Sequence, residues 1–365
     1  MNGDSPERAI LVGVKLKKEH NYDFESSLEE LAGLTEAAGG EVTAVMVQAK
    51  DRPSSSTYIG KGKLEELTHL VKELEPDLVI FDSELSPVQL RNLEQAVEVR
   101  IIDRTMLILD IFSQRARTRE GIMQVELANL EYRLPRLTGR GVEMSRLGGG
   151  IGTRGAGEQK LELDRRRIRN RIQDIKRQML KAESTRRLHR KQRQRAGLKT
   201  ISLVGYTNAG KSSLFNALCK NAHRTGIEQV EADDRLFQTL DTTTRKINLP
   251  SGMDVLITDT VGFIQNLPHH LVAAFRSTLE ETVDSDILLH VVDVSAADHL
   301  EKVEVVEKVL QDLGAEQDKI ITVFNKTDLI EFIPSGDNIN YFVSAKTGTG
   351  IEEFLLKISR KLADN

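Results

Sequence analysis

The chain has 365 residues, 39% of them hydrophobic and 29% charged, the balance of a folded globular protein with room for two or three cores, since domains run to roughly 100–200 residues each. No stretch reaches the ~18 consecutive apolar residues of a membrane-spanning helix; the polar residues 1–8 with a short apolar run after them do not read as a secretion signal; and one cysteine, Cys219, excludes an internal disulfide, suits a reducing cytoplasm and reads as core filler. The net charge of −4 hides 15 Lys/Arg against three Asp/Glu in residues 164–199, a positive block on an otherwise acidic protein that points to a polyanionic partner at one face.

Residues 8–14, 41–48, 77–82 and 98–103 read as buried strands, and helical periodicity near 26–38, 63–74 and 86–96 separates them. Such alternation predicts a small α/β domain over 1–104 with a mainly parallel sheet. Within it, Tyr58-Ile59-Gly60-Lys61-Gly62-Lys63 follows a serine cluster at 54–56. Two glycines and two lysines opening a helix could hold the phosphate of a second nucleotide or of RNA. A turn with solvated lysines is the competing reading.

From about 105 to 198 the pattern is helical. Met123, Leu127, Leu130, Leu134 and Leu137 recur at steps of four and three, as do Ile168, Ile172, Ile175 and Met179. Two seams of this period predict a long antiparallel helical hairpin. Between them, residues 138–160 hold eight glycines together with Arg140, Arg146 and Arg154. A loop of that length cannot build a core and is expected to be functional or disordered. Arg165, Arg166, Arg167, Arg169 and Arg171 follow at once. A solvated helix surface is the bland reading of a charge run. Its coincidence with an arginine-bearing glycine loop favours RNA contact, made to phosphates by charge and shape because aromatic residues are scarce.

Residues 199–365 read as a second α/β domain, with strands near 200–205, 244–249, 253–259, 286–293, 319–325 and 339–343 and a last helix from about Gly350. Between its first strand and a helix opening with Ser212 and Ser213 lies Gly205-Tyr206-Thr207-Asn208-Ala209-Gly210-Lys211-Ser212. This is the G-x-x-x-x-G-K-[ST] phosphate loop in its strand-to-helix context. The glycines let the backbone wrap a polyphosphate, Lys211 brings charge to the β- and γ-phosphates, and the Ser212 hydroxyl is a ligand for Mg²⁺.

Further along, Asp259-Thr260-Val261-Gly262 ends an apolar strand, where the aspartate can hold Mg²⁺ through water and the Gly262 N–H can meet the γ-phosphate. Asn325-Lys326-Thr327-Asp328 ends another. The Asp328 carboxylate can accept from both N1–H and N2 of guanine, a donor pair that adenine lacks, so the substrate should be GTP. The Lys326 stem can cover the base, Asn325 can tie this segment to the phosphate loop, and Ser344-Ala345-Lys346 can offer a backbone N–H to guanine O6. The stretch 235–245 holds Thr239, Thr242, Thr243 and Thr244, and spacing alone does not decide which completes the Mg²⁺ shell.

With these parts in place the sequence resembles the HflX family of translation-factor-related GTPases over nearly its whole length. The resemblance rests on residues 57–63, on Asp103-Arg104-Thr105 with Leu109-Asp110-Ile111-Phe112, on the glycine-rich 148–157, and on Leu236-Phe237-Gln238-Thr239-Leu240-Asp241. It implies nucleotide contact by Phe237 to Asp241, with Thr239 as the Mg²⁺-sensing residue beside Ser212. Catalytic roles are implied for Lys211, Thr239 and Gly262. The family usually has proline where Thr242 stands. Its members bind the 50S subunit, bring the hairpin loop toward the peptidyl transferase centre, and use GTP to separate stalled 70S ribosomes; many carry a further C-terminal domain that this sequence does not include.

Phe263 stands where many GTPases place a water-orienting glutamine, so unstimulated hydrolysis should be slow. The expected protein is a cytoplasmic monomer exchanging GTP and GDP. Two alternatives use the same residues: an RNA-remodelling enzyme with an ATP site in the N-terminal domain, and a ribosome-assembly module that GTP only switches.

Overall fold

A strand buried on both faces needs a continuous apolar run, and Ala9-Ile10-Leu11-Val12 supplies one at the centre of β1 (Glu7–Leu16). The structure is a computed structural model that describes residues 6–17, 21–137, 156–195, 197–221, 236–237, 242–265, 279, 282–332 and 340–364. In it β1 lies between β2 (Gly40–Lys50) and β3 (Leu78–Phe81), with β4 (Arg100–Asp103) beyond β3, all parallel. Successive side chains point to opposite faces. Ile10, Val12, Val79, Phe81 and Ile101 therefore pack with Leu67 of α2 (Lys61–Leu74) and Leu93 and Val97 of α3 (Pro87–Val97). On the other face α1 (Asn21–Ala37) lies so near that a Cβ at Gly13 would meet Phe24 and Leu28. Ser86 and Gln89 form a capping box at the start of α3, with Pro87 in its first turn, the arrangement that satisfies orphan N–H groups there.

The helical stretch expected from about 105 begins with α4 (Arg104–Arg115), whose Leu107, Ile108, Leu109, Ile111 and Phe112 are all buried. That burial makes α4 core material and not part of an exposed arm. The hairpin itself consists of α5 (Arg119–Arg136) and α6 (Ala156–Arg195). At 40 residues and about 1.5 Å per residue, α6 is roughly 60 Å long. Leu127, Ile172 and Ile175 are its buried seam, flanked by Met123, Leu130, Leu134, Ile168 and Met179, so both heptad-like rows meet as their spacing requires. Leu137 falls in the turn after α5, and most of the glycine-rich stretch, including Arg140, Arg146 and Arg154, lies outside the described residues. Tertiary contacts divide the chain into two compact units, Met1–Gln114 with Ile122–Met179, and Arg115–Gly121 with Leu180–Asn365.

The second unit is built on six strands: β5 (Lys199–Gly205), β6 (Thr243–Asn248), β7 (Asp254–Asp259), β8 (Ile287–Asp293), β9 (Ile320–Asn325) and β10 (Asn340–Phe342). Their order is β10-β9-β8-β5-β7-β6, parallel except for β6 against β7. One face packs Ile201, Leu203, Leu289, Val291 and Val323 against Leu214, Phe215 and Cys219 of α7 (Lys211–Asn221) and Phe354 and Ile358 of α9 (Ile351–Asp364). Burial in that layer pushes the Cys219 thiol up to about 11, which bears out its reading as core filler. Val306 and Leu310 of α8 (His299–Asp312) are buried in a helix that contacts β8. Helices on both sides of a mostly parallel sheet make this a doubly wound α/β unit, and its strand ends are where ligands bind in such folds.

Candidate functional site

The phosphate loop, Asp259 to Gly262, Asn325 to Asp328 and Ser344 to Lys346 fall at the carboxyl ends of β5, β7, β9 and β10. The loop from Gly205 to Gly210 leaves β5 and ends at α7, which opens with Lys211, Ser212 and Ser213. Asn208 and Gly210 both have positive φ, 57° and 84°, conformations that asparagine tolerates and glycine adopts freely. At Gly210 a Cβ would also run into the Asn325 side-chain amide. The glycine is therefore required twice, by its dihedral and by its neighbour.

Lys211 is buried, its Nζ donating to the carbonyls of Tyr206 at 2.8 Å and Gly205 at 3.2 Å. Burial pulls its pKa down to about 8, with Asp259 opposing the shift. Ser212 Oγ donates to Asp259 Oδ2 at 2.6 Å, and Asp259 is fully buried at the end of β7. Two hard oxygen donors side by side at a phosphate loop are the set a small divalent cation such as Mg²⁺ takes. Thr260 is fixed by donating to Leu203 O. Val261 is buried, and a Cβ on Gly262 would stand 2.7 Å from Thr207 Cα and 2.9 Å from Lys211 Nζ. Gly262 is thus pressed onto the lysine as no larger residue could be.

The segment behind Gly262 is laced to the phosphate loop: Thr207 N–H donates to Phe263 O at 2.7 Å and Phe263 N–H to Gly205 O at 3.1 Å. The Phe263 ring is 3% exposed, so the residue in the usual glutamine position serves packing. Thr207 Oγ1 accepts from the N–H of Phe237 at 3.1 Å, bringing buried Phe237 to the same loop. Gln238, Thr239, Leu240 and Asp241 lie outside the described residues. Of the other candidate threonines, Thr243 and Thr244 belong to β6, and Thr244 shares a 2.9 Å hydroxyl contact with Thr258.

Asn325 connects the segments expected to meet guanine to the phosphate loop. Its Nδ2 donates to Ala209 O at 3.1 Å and Gly210 O at 3.4 Å, while Oδ1 accepts from Ala345 N–H at 3.0 Å. One buried amide thereby joins three of the expected segments. Because Ala345 N–H is engaged there, Lys346 provides the backbone N–H in Ser344-Ala345-Lys346 that has no partner among the described residues. Ser344 Oγ donates to Asp328 Oδ1 at 2.6 Å, and Thr327 is buried with its N–H on Val343 O. Lys326, at φ 65°, pairs with Asp293 Oδ2 at 2.6 Å. Sequence reasoning did not single out Asp293, although its place at the end of β8 was available as a signal.

In the first unit, the segment 57–63 forms an ordered approach to α2. Ile59 is fully buried, Tyr58 meets the edge of Phe81, Gly60 N–H donates to Gln48 Oε1 at 2.9 Å, and Lys63 pairs with Glu66. Among the described residues no helix is long and apolar enough to cross a membrane.

Residues 25–113 match the family described as GTP-binding GTPase N-terminal, 115–193 the GTP-binding GTPase Middle Region, and 200–326 the family described as 50S ribosome-binding GTPase. The chain is 52% identical to the GTPase HflX of Caldanaerobacter subterraneus subsp. tengcongensis, over 98% of this chain and 81% of that protein. It is 41% identical to the GTPase HflX of Escherichia coli strain K12, over 99% and 84%. Among solved structures, a complex of SsGBP with GDP shares the fold, with TM-score 0.53 and 24% identity across 98% of this chain and 99% of that one.

Proposed function

The chain belongs to the HflX family of GTPases, and from that premise we propose that it binds GTP with Mg²⁺ in the pocket around Lys211, docks on the 50S ribosomal subunit and separates stalled 70S ribosomes. The observation that carries the nucleotide reading is the Asn325 amide, which ties the phosphate loop to the segments holding Asp328 and Ala345. Phosphate grip and base choice then belong to one rigid pocket.

The N–H groups of Asn208 and of Gly210 to Ser213 face the phosphates, Lys211 exchanges its two carbonyl partners for phosphate oxygens, and the Gly262 N–H meets the third phosphate. Asp328 reads guanine, the Lys346 N–H meets O6, and Lys326, steadied by Asp293, covers the base. Ser212 and, through water, Asp259 would hold Mg²⁺, with Thr239 completing the set. The ion, when bound, neutralises charge building on the phosphate oxygens. Ordering of the segments containing Thr239 and Gly262 by GTP favours the ribosome-binding form. The basic hairpin meets rRNA, and ribosome contact completes a hydrolytic site in which buried Phe263 orients no water. The protein works in the cytoplasm as a monomer.

GTP turnover with and without 50S subunits tests the stimulation step. A rise of at least about tenfold is expected, given that partner groups supply 10³–10⁵ in related systems, and equal rates refute it. Sedimentation of 70S ribosomes with the protein tests the outcome: subunits should separate with GTP or a non-hydrolysable analogue and not with GDP. Intact 70S particles under all three would remove the splitting function.

A further inference from the structure

In a phosphate loop the residue after the first glycine has only its backbone committed to the nucleotide, so its side chain is free for another task. Here that residue is tyrosine, 5% exposed. Its hydroxyl accepts the N–H of Gln265 at 2.8 Å, three residues past Gly262. The Lys302 ammonium of α8 lies 5.3 Å from the ring centroid and pairs with Asp298 at 2.7 Å, which steadies the ring from the side of the helix. The Tyr206 carbonyl meanwhile accepts from Lys211. One residue therefore touches the phosphate-binding lysine, the segment behind Gly262 and α8.

We propose that the Tyr206 hydroxyl is a positioning group that presents the Gly262 N–H to the third phosphate and so separates GTP from GDP. The inference rests on the reading of this pocket as a GTP site. The Gly262 N–H has no partner among the described residues, and a Cβ on this residue would run into Thr207 and Lys211. What holds it there is the attachment of the chain just behind it. Two of the three bonds in that attachment, Thr207 N–H to Phe263 O and Phe263 N–H to Gly205 O, are backbone to backbone and belong to any sequence with this loop. The third is specific to this side chain. GDP presents no group to Gly262, and its binding is indifferent to this bond.

Tyr206→Phe removes one oxygen and leaves the ring, the Lys302 contact and the loop backbone. Titration calorimetry with a non-hydrolysable GTP analogue should show affinity falling about fivefold, the worth of one neutral hydrogen bond, while GDP affinity stays within about twofold. Single-turnover hydrolysis should slow with the analogue's affinity. An equal loss for both nucleotides means that the hydroxyl only stiffens the phosphate loop, and no loss for either means that it positions nothing; both overturn the proposal. A measurement on the unaltered protein needs no variant to fold: the Gln265 amide should exchange more slowly in the analogue complex than in the GDP complex, and equal exchange is again contrary. Wild-type protein that binds neither nucleotide would instead overturn the reading of the pocket.

Discussion

Asp328 is steered before any base arrives. Ser344 Oγ at 2.6 Å occupies Oδ1, and on the proposed reading the exposed remainder of the carboxylate is left to face the two guanine donors. Asparagine can still accept from Ser344 through its carbonyl, so Asp328→Asn should leave the fold intact while turning a donor toward the guanine edge. GTP affinity should fall by at least roughly a hundredfold, because a buried donor meeting a donor loses the bond and strands both groups. Xanthosine triphosphate, which offers an oxygen in place of N2, should compete better than GTP, and unchanged GTP affinity in a titration would remove Asp328 from base recognition. His290 is a second residue with a measurable signature. It is 1% exposed on β8, its Nδ1 has no hydrogen-bond partner among the described residues, and burial, reinforced by Lys211, holds its pKa down at about 4. The unfolded chain takes up a proton near pH 6.5 that the folded one refuses until about pH 4, so stability is fully present above pH 6.5 and lost as pH falls through that window. The 6.5-to-4 difference corresponds to about 3 kcal/mol. His290→Leu should flatten this part of the curve in urea titrations between pH 7 and 4, and an unaltered slope would place the acid sensitivity elsewhere.

At the scale of elements, the hairpin tests which of two visible forces matters. Ile175 is fully buried in the seam, and Ile175→Ala should cost 2–5 kcal/mol through lost burial and the cavity left behind. Arg171 meets Glu126 at 2.6 Å, but both are substantially exposed; Arg171→Ala should cost about 1 kcal/mol or less. Equilibrium unfolding of the two variants gives the comparison, and a larger loss for Arg171 would mean that ion pairs build the hairpin. The seam was legible in the sequence because steps of three and four can serve only a helix. So were the strands of both sheets, most of them short apolar runs, with ends displaced by a few residues. β1 runs on through Lys15 and Leu16, paired with Ala49 and Lys50, where half-exposed side chains blur the apolar signal. The role of α4 was not legible, since helical periodicity records a buried stripe and not the layer that buries it. The nucleotide pocket was readable wherever chemistry dictates a tetrapeptide, and illegible where a lone side chain crosses between elements. Asp293 on Lys326 and Tyr206 on Gln265 are such cases, contacts set by the positions of neighbouring strand ends.

For the whole molecule the question is how much of the positive block is free to act. The sequence counts 15 Lys/Arg in residues 164–199. Yet Arg165, Arg167, Arg169, Arg171, Lys176, Arg177 and Arg186 each lie within ion-pair distance of a carboxylate, several of them from α5. Such exposed pairs are worth little, and the closely spaced phosphates of rRNA, which release counterions when a cation binds, can displace a carboxylate from an arginine. On the proposed reading, Glu126 and Glu131 therefore compete with rRNA for Arg171 and Lys176. Replacing both with glutamine leaves their size and their place on α5 but releases the two cations. Each additional phosphate contact changes affinity by about threefold between 50 and 200 mM salt, from the counterion-release slope of roughly 0.9 per contact. The double variant should accordingly bind 50S subunits up to about tenfold more tightly at 50 mM, with the advantage shrinking as salt rises. Co-sedimentation across that salt range reads both quantities. Weaker binding, or identical binding at every salt concentration, would mean that this face of the hairpin does not meet rRNA, and that the positive block acts through another face of α6 or serves only to solvate the helix.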